Sequence, residues 1–261
     1  MAGPSQPVTV DGGADLYVPL IAAFTDDSST LSEVRIARVV RHHVELEAQG
    51  FLVNGDTGDF FLLSLSERKQ MVEWVMRESH GRPVWVNVTA MTTSAAVDLA
   101  QHAARHGARG VVVCPPQAGR YFDSEAKSLL ASVQRHGNIT AVFADPERKW
   151  EAFHDSLPLE RVSAPDHAVL ASPAPDEMVV ENAIVTPLTM FGASRVKTIL
   201  SRPDVLVPAM GLLVKRGGLS RAARAALEKM GLDVGTSRGP MFELADDGRE
   251  VLNGIARLLG V

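Results

Sequence analysis

Asp56 and Thr57 stand side by side in a glycine-rich loop, Gly55-Asp56-Thr57-Gly58, directly after a short apolar run at residues 51–53. A carboxylate next to a hydroxyl in an enclosed loop could hold a polar ligand. Asp56 could also accept a proton there, with burial raising its pKa. The plain alternative is that Asp56 caps the loop by accepting backbone N–H bonds. Asn87 and Thr89 come at the end of another apolar run, residues 84–88, and offer an amide and a hydroxyl; their plain alternative is loop capping. His102 and His106 are four residues apart, a spacing that puts two metal ligands on one helical face. No Cys, Asp or Glu motif completes that set, so a solvent-facing pair is expected and no metal is assigned. Lys215-Arg216-Gly217-Gly218 could hold a phosphate but reads as a turn, and Cys114 reads as a buried strand-end thiol.

These residues are positioned by a repeating strand–helix rhythm. Apolar runs at residues 18–23, 51–53, 84–88, 110–114 and 139–143 predict strands, with a sixth at 168–171. Between them lie helical patterns. Thr30 and Glu33 have capping-box spacing ahead of Ile36, Ala37, Val40 and Val44, with Gly50 as the stop. Ser64 and Glu67 have the same spacing ahead of Met71, Val72, Val75 and Met76. Further helices are expected at about 94–106, 124–134 and 220–230, and a last one carries Val251, Leu252, Ile255, Leu258 and Leu259. Strands that alternate with helices across short loops make a parallel sheet, and continuous apolar strands suit burial on both faces. A doubly wound sheet and a closed barrel both satisfy this pattern, and both place a site at the carboxyl ends of the strands. No G-x-G-x-x-G or G-x-x-x-x-G-K-[ST] occurs, which removes dinucleotide and P-loop readings. From about Asp176 to Gly218 the pattern fades, and no strand can be placed there.

Bulk properties narrow the function. A chain of 261 residues, 46% hydrophobic, suits one large α/β barrel domain or two small domains. A net charge of −5 and 5% aromatics give no electrostatic or stacking case for nucleic acid. The longest apolar stretch, near residues 205–214, is broken by Pro208 and Gly211 and is about half a membrane span. Residues 1–15 read as a loose leader without a signal-peptide pattern, and residues 16–261 as a single domain whose closing helices span about 219–261. One cysteine excludes an internal disulfide and fits the cytoplasm.

The run Gly55-Asp56-Thr57-Gly58-Asp59-Phe60-Phe61-Leu62-Leu63-Ser64-Leu65-Ser66-Glu67-Arg68 resembles the G-T-T-G-E-x-x-x-L-S-x-x-E-[RH] segment of the dihydrodipicolinate synthase and N-acetylneuraminate lyase family, without a gap. Cys114-Pro115-Pro116 resembles that family's loop after strand four. Phe143-Ala144-Asp145-Pro146-Glu147-Arg148 resembles its Y-N-x-P-x-R. The stretch from Ala222 to Leu232, with Arg238-Gly239-Pro240, resembles its closing motif. The resemblance implies a TIM (β/α)8 barrel with C-terminal helices. Members are longer than this chain, so the barrel is expected to be shortened or irregular around strands seven and eight, after strand six.

The resemblance also implies which chemistry has changed. Members form a Schiff base between a strand-six lysine and an oxo-acid, because an iminium is a strong electron sink. The matching position here falls at about Ala171, and no lysine occurs between Lys149 and Lys197. Phe143 takes the place of the strand-five tyrosine and lacks its proton-shuttling hydroxyl. Gln117 and Ala118 replace the strand-four tyrosine loop. Asp56 replaces the first of two threonines that hold the substrate carboxylate. A carboxylate there repels an oxo-acid by about 1–4 kcal/mol. Arg148 matches an arginine that receives a second substrate's carboxylate.

The expected site is therefore Asp56 and Thr57 as catalytic groups, with Gly55, Asn87, Thr89, Gln117, Phe143, Arg148 and Ala171 around a small-molecule ligand. No cofactor is expected. The expected function is a diverged lyase that works by acid–base chemistry; the alternative is a non-catalytic binding or scaffolding member. The expected assembly is a homodimer, with a homotetramer as the alternative.

Overall fold

The computed structural model describes residues 15–113, 123–143, 178–180, 183–185, 187–195 and 218–261. Five βα-type strands run β1 (Asp15–Pro19), β2 (Gly50–Val53), β3 (Val84–Asn87), β4 (Gly110–Val113) and β5 (Ala141–Phe143). Helices α1 (Glu33–Glu45), α2 (Leu65–Glu78), α3 (Thr93–Arg105) and α4 (Asp123–Gly137) alternate with them. Two short strands, β6 (Met178–Val180) and β7 (Ala183–Val185), follow, and then α5 (Leu219–Lys229) and α6 (Asp246–Leu258). The strands form one sheet in the order β5-β4-β3-β2-β1-β7-β6. All neighbours are parallel except β6 and β7. The fold is the α/β barrel class.

In a closed barrel the first strand is flanked by the second and the last. Here β7 pairs with β1 on the side away from β2, so it occupies the last strand's place. The irregularity expected around strands seven and eight is seen in the β6–β7 pair. β6 runs antiparallel beside β7. The expected strand at 168–171 lies outside the described residues. Strands of three residues, one soon followed by Pro187, carry too little pattern for the sequence to show them.

Alternation sorts the strand side chains onto two faces. Leu16, Val18, Phe51, Val53, Val84, Val86, Val111 and Val113 join the core under the helices. Tyr17 and Trp85, also buried, lie between them in sequence and face the other way, into the barrel. The register sets Tyr17 opposite Gly50 and Trp85 opposite Gly110. A Cβ at Gly50 would fall 2.5 Å from the Tyr17 ring, and one at Gly110 would fall 2.4 Å from the Trp85 ring. Alternate strands thus give a bulky ring and a bare backbone in one interior layer. Gly50 therefore opens β2 and does not stop a helix; α1 ends at Glu45.

Several boundaries differ from expectation for local reasons. Asp15, assigned to the leader, is the first residue of β1, which ends at Pro19 and not at Ala23. Residues Leu20 to Phe24 are buried yet outside the strand, so their apolarity reflects burial and not ladder pairing. Ser32 caps α1 by accepting from the Arg35 N–H; Thr30 instead lies in a turn in which its carbonyl accepts from the Thr25 N–H. Ser64 and Glu67 do form the reciprocal capping box of α2.

His43 on α1 is almost fully buried, and burial, reinforced by His42, holds its pKa down to about 3. A histidine whose pKa is depressed on folding contributes stability that is fully present above about 6.5 and is lost as the pH falls toward 3. At pH 5 the loss is about 2 kcal/mol. Urea unfolding at pH 7 and pH 5 should show that loss in the wild type and a flatter profile in His43→Leu; identical pH slopes would contradict it.

Candidate functional site

The exits of β2 and β3 lie at the same end of adjacent parallel strands, and one side chain ties them together. Arg68, one turn into α2, is 3% exposed. Its Nη1 donates to the Thr89 carbonyl and its Nη2 to the Asn87 carbonyl, both at 2.6 Å. Its own backbone carbonyl accepts from Asn54 Nδ2 at 3.1 Å, and Asn54 is the first residue after β2. The guanidinium lies 5.1 Å from the centre of the Phe60 ring. Burial brings its pKa down to about 10. It stays charged, and its charge meets carbonyl dipoles.

Asn87 is fully buried at the end of β3. Its Oδ1 accepts from the Thr89 N–H at 2.9 Å and from the Thr89 hydroxyl at 2.6 Å. A backbone N–H can only donate, so the amide orientation is fixed, with Oδ1 toward Thr89. The buried Nδ2 then has no hydrogen-bond partner among the described residues. Thr89 is buried with it and closes an Asx turn. The loop-capping role is therefore real for Thr89 and for one half of the Asn87 amide; the other half is an unspent donor.

Asp56 and Thr57 lie in a short 3-10 turn, Asp56–Gly58. Thr57 is fully buried and Asp56 half-buried. Gly58 lets the turn press on the chain after β1: a Cβ there would meet the Leu20 carbonyl at 2.8 Å. The Asp56 carbonyl accepts from the Asp59 N–H at 3.0 Å. Asp59 adopts the left-handed conformation, φ 49°, which Asp tolerates better than most residues. It is 3% exposed and accepts a short hydrogen bond from the Ser220 hydroxyl of α5. Burial raises its pKa against the opposing pull of Ser220, Arg224 and Arg221.

The closing helices lock this rim. Arg224 is 1% exposed, donates to the Ala22 carbonyl and lies 5.3 Å from the Phe24 ring centre. Arg238 sits over the same ring at 4.3 Å and pairs with Glu67 at 2.7 Å. Burial works against ionisation of Glu67, but Arg238 and Ser64 together bring its pKa below the usual value.

The structure thus brings Gly55, Asp56, Thr57, Asn87 and Thr89 to the carboxyl ends of neighbouring strands. Phe143 ends β5 as expected, while Gln117, Arg148 and Ala171 lie outside the described residues. Sequence pattern alone gives no role to Arg68, Asp59, Ser220 or Arg224. Arg68 shares the apolar face of α2 with Met71, Val72 and Val75, and Arg224 stands among Ala222, Ala223, Ala225 and Ala226. A charge on an apolar face was the available signal for both.

This architecture, an α/β barrel with polar groups at its strand ends, defines the class. Residues 14–139, just under half of the chain, match the dihydrodipicolinate synthetase family. The chain is 34% identical over 101 residues to 4-hydroxy-tetrahydrodipicolinate synthase of Bradyrhizobium diazoefficiens, covering 38% of this chain and 33% of that one. It is 28% identical to N-acetylneuraminate lyase of Rhizobium meliloti over 49% of this chain and 42% of that one. The match thus spans less than half the length of these relatives. An uncharacterized DapA-like lyase of Halobacterium salinarum is 26% identical over 99% of this chain and 97% of its own. Among solved structures, dihydrodipicolinate synthase from Cyanidioschyzon merolae, with lysine bound, superposes with a TM-score of 0.75 at 14% identity, covering 95% of this chain and 99% of that one. That likeness speaks for the fold.

Arg68→Met should destabilise the chain by about 3 kcal/mol, because two buried carbonyls lose a charged donor. Arg68→Lys should recover little, since one ammonium cannot reproduce the forked contact. Urea midpoints check this; a wild-type midpoint in either variant would contradict it.

Proposed function

We propose that the whole chain is a diverged member of the dihydrodipicolinate synthase and N-acetylneuraminate lyase family, a lyase-type enzyme that acts on a small polar metabolite without a lysine Schiff base. The observation that carries the reading is the buried, orientation-fixed Asn87 Nδ2, a donor with no partner among the described residues, at the strand end beside the Asp56-Thr57 turn. Asn87 holds a ligand oxygen on which negative charge gathers as a bond breaks. Asp56 accepts the proton that leaves, and Thr57 helps to orient the ligand. Ala171 in place of the lysine removes the imine route. The three lysines among the described residues, Lys69, Lys127 and Lys229, stand on helices and not on strands. Asp56 disfavours an oxo-acid carboxylate, so a neutral or cationic ligand is the better fit. Gly55, Thr89, Gln117, Phe143 and Arg148 complete the proposed pocket, with Arg148 at its mouth.

A binding or scaffolding role is the second reading, favoured by the mutual bonding of Asn87 and Thr89, which serves the loop as well as any ligand. In either case we propose a cytoplasmic homodimer. No helix among the described residues is long and apolar enough to cross a membrane.

Calorimetric titration with a panel of small amides, polyols, amines and oxo-acids tests the reading. Neutral or cationic ligands should bind and pyruvate should not. Asn87→Asp keeps the acceptor that Thr89 needs and deletes the donor; it should weaken binding about tenfold, the worth of one hydrogen bond of some 1.4 kcal/mol. Pyruvate as the tightest ligand, or an unchanged Asn87→Asp, would overturn the proposal.

A further inference from the structure

Outside the barrel, between α2 and α3, the structure completes a set that the sequence leaves at two residues. His102 and His106 lie on one face of the α3 region, and Glu73 of α2 comes up against both. Glu73 Oε1 is 3.2 Å from His102 Nε2 and 3.9 Å from His106 Nε2. The three ligand atoms all lie within 4.8 Å of one another. A tetrahedral ion with ligands at about 2.0–2.1 Å needs them roughly 3.4 Å apart. The Glu73 and His106 side chains are 44% and 39% exposed, so both are free to make the small adjustment.

His102 is the anchor. The expected solvent-facing pair is corrected here: His102 is 8% exposed, and its buried Nε2 makes no hydrogen bond of good geometry among the described residues. Its ring is also held by the Lys69 backbone. Lys69 is the unfavourable neighbour, but its ammonium is turned to Asp98 at 2.6 Å.

We propose that Glu73, His102 and His106 form a three-ligand site for a divalent transition metal, Zn2+ in the first instance, that staples α2 to α3 on the outer face of the barrel. Two imidazoles and one carboxylate suit Zn2+, Ni2+ or Cu2+ better than Ca2+ or Mg2+. Glu73 and His106 are exposed, which leaves the fourth position to water. The site is remote from the strand ends and independent of the function proposed above.

The test is titration of ZnCl2 into the chelator-treated full chain, read by calorimetry and by melting temperature. The expected result is one tight equivalent and a rise in melting temperature that chelator reverses. Glu73→Gln and His106→Gln, both at exposed positions where folding is not at stake, should each weaken binding at least tenfold. No saturable uptake, or variants that bind as tightly as the wild type, would overturn the proposal.

Discussion

The exits of β2 and β3 are tied together by a buried cation, Arg68. Arg68 takes up the carbonyls of Asn87 and Thr89 while its own backbone receives Asn54. Strand exits must leave the ladder somewhere, and their carbonyls then need donors that do not block the pocket. A forked guanidinium from the next helix supplies two of them from behind. The cost is an ion taken out of water, seen in its lowered pKa, and offset by charged hydrogen bonds and the Phe60 ring face. With the carbonyl side of β3 fixed, the Asn87 side chain is free to close an Asx turn with one atom and to present the other. The Thr89 N–H orients the Asn87 amide, on a strand end whose carbonyls Arg68 holds.

The rim is completed from the far end of the chain. Ser220 reaches Asp59, Arg224 reaches Ala22, and Arg238 reaches Glu67 and the turn carbonyls of Ser28 and Leu62. Phe24 sits between two guanidiniums. The helix α5 and the loop after it therefore form part of the wall around the Asp56–Gly58 turn. The other side of the barrel differs more from the regular pattern: β7 stands beside β1, and an antiparallel β6 stands beside β7.

What the sequence made legible follows from the length of each signal. The first five strands and their helices carry continuous apolar runs, capping residues and 3.6-residue periodicity, and they stand within a few residues of expectation. The β6–β7 pair lacks such signals, since three-residue strands have no period. Ser64 and Glu67 were readable as a capping box because their spacing is local. Thr30 and Glu33 have the same spacing, yet Ser32 won the cap, because Leu31 bridges to Phe24 and fixes Thr30 in the preceding turn. Asp56, Thr57, Asn87 and Thr89 are expected at the site from their place at strand ends, and the structure puts them at the carboxyl ends of β2 and β3. Arg68 and Asp59 lie inside the family-like motif, but burial and long-range bonds decide their roles. Glu73 is the clearest case: its relation to His102 depends on how two helices dock, which no spacing along the chain records.

The chemistry proposed here stands on the loss of the imine. Sodium borohydride reduction of the full chain in the presence of pyruvate and other oxo-acids, followed by intact-mass and peptide mass spectrometry, addresses that directly. The expected result is an unmodified mass with every oxo-acid. A reduced adduct on any lysine, Lys149 and Lys197 included, would contradict it.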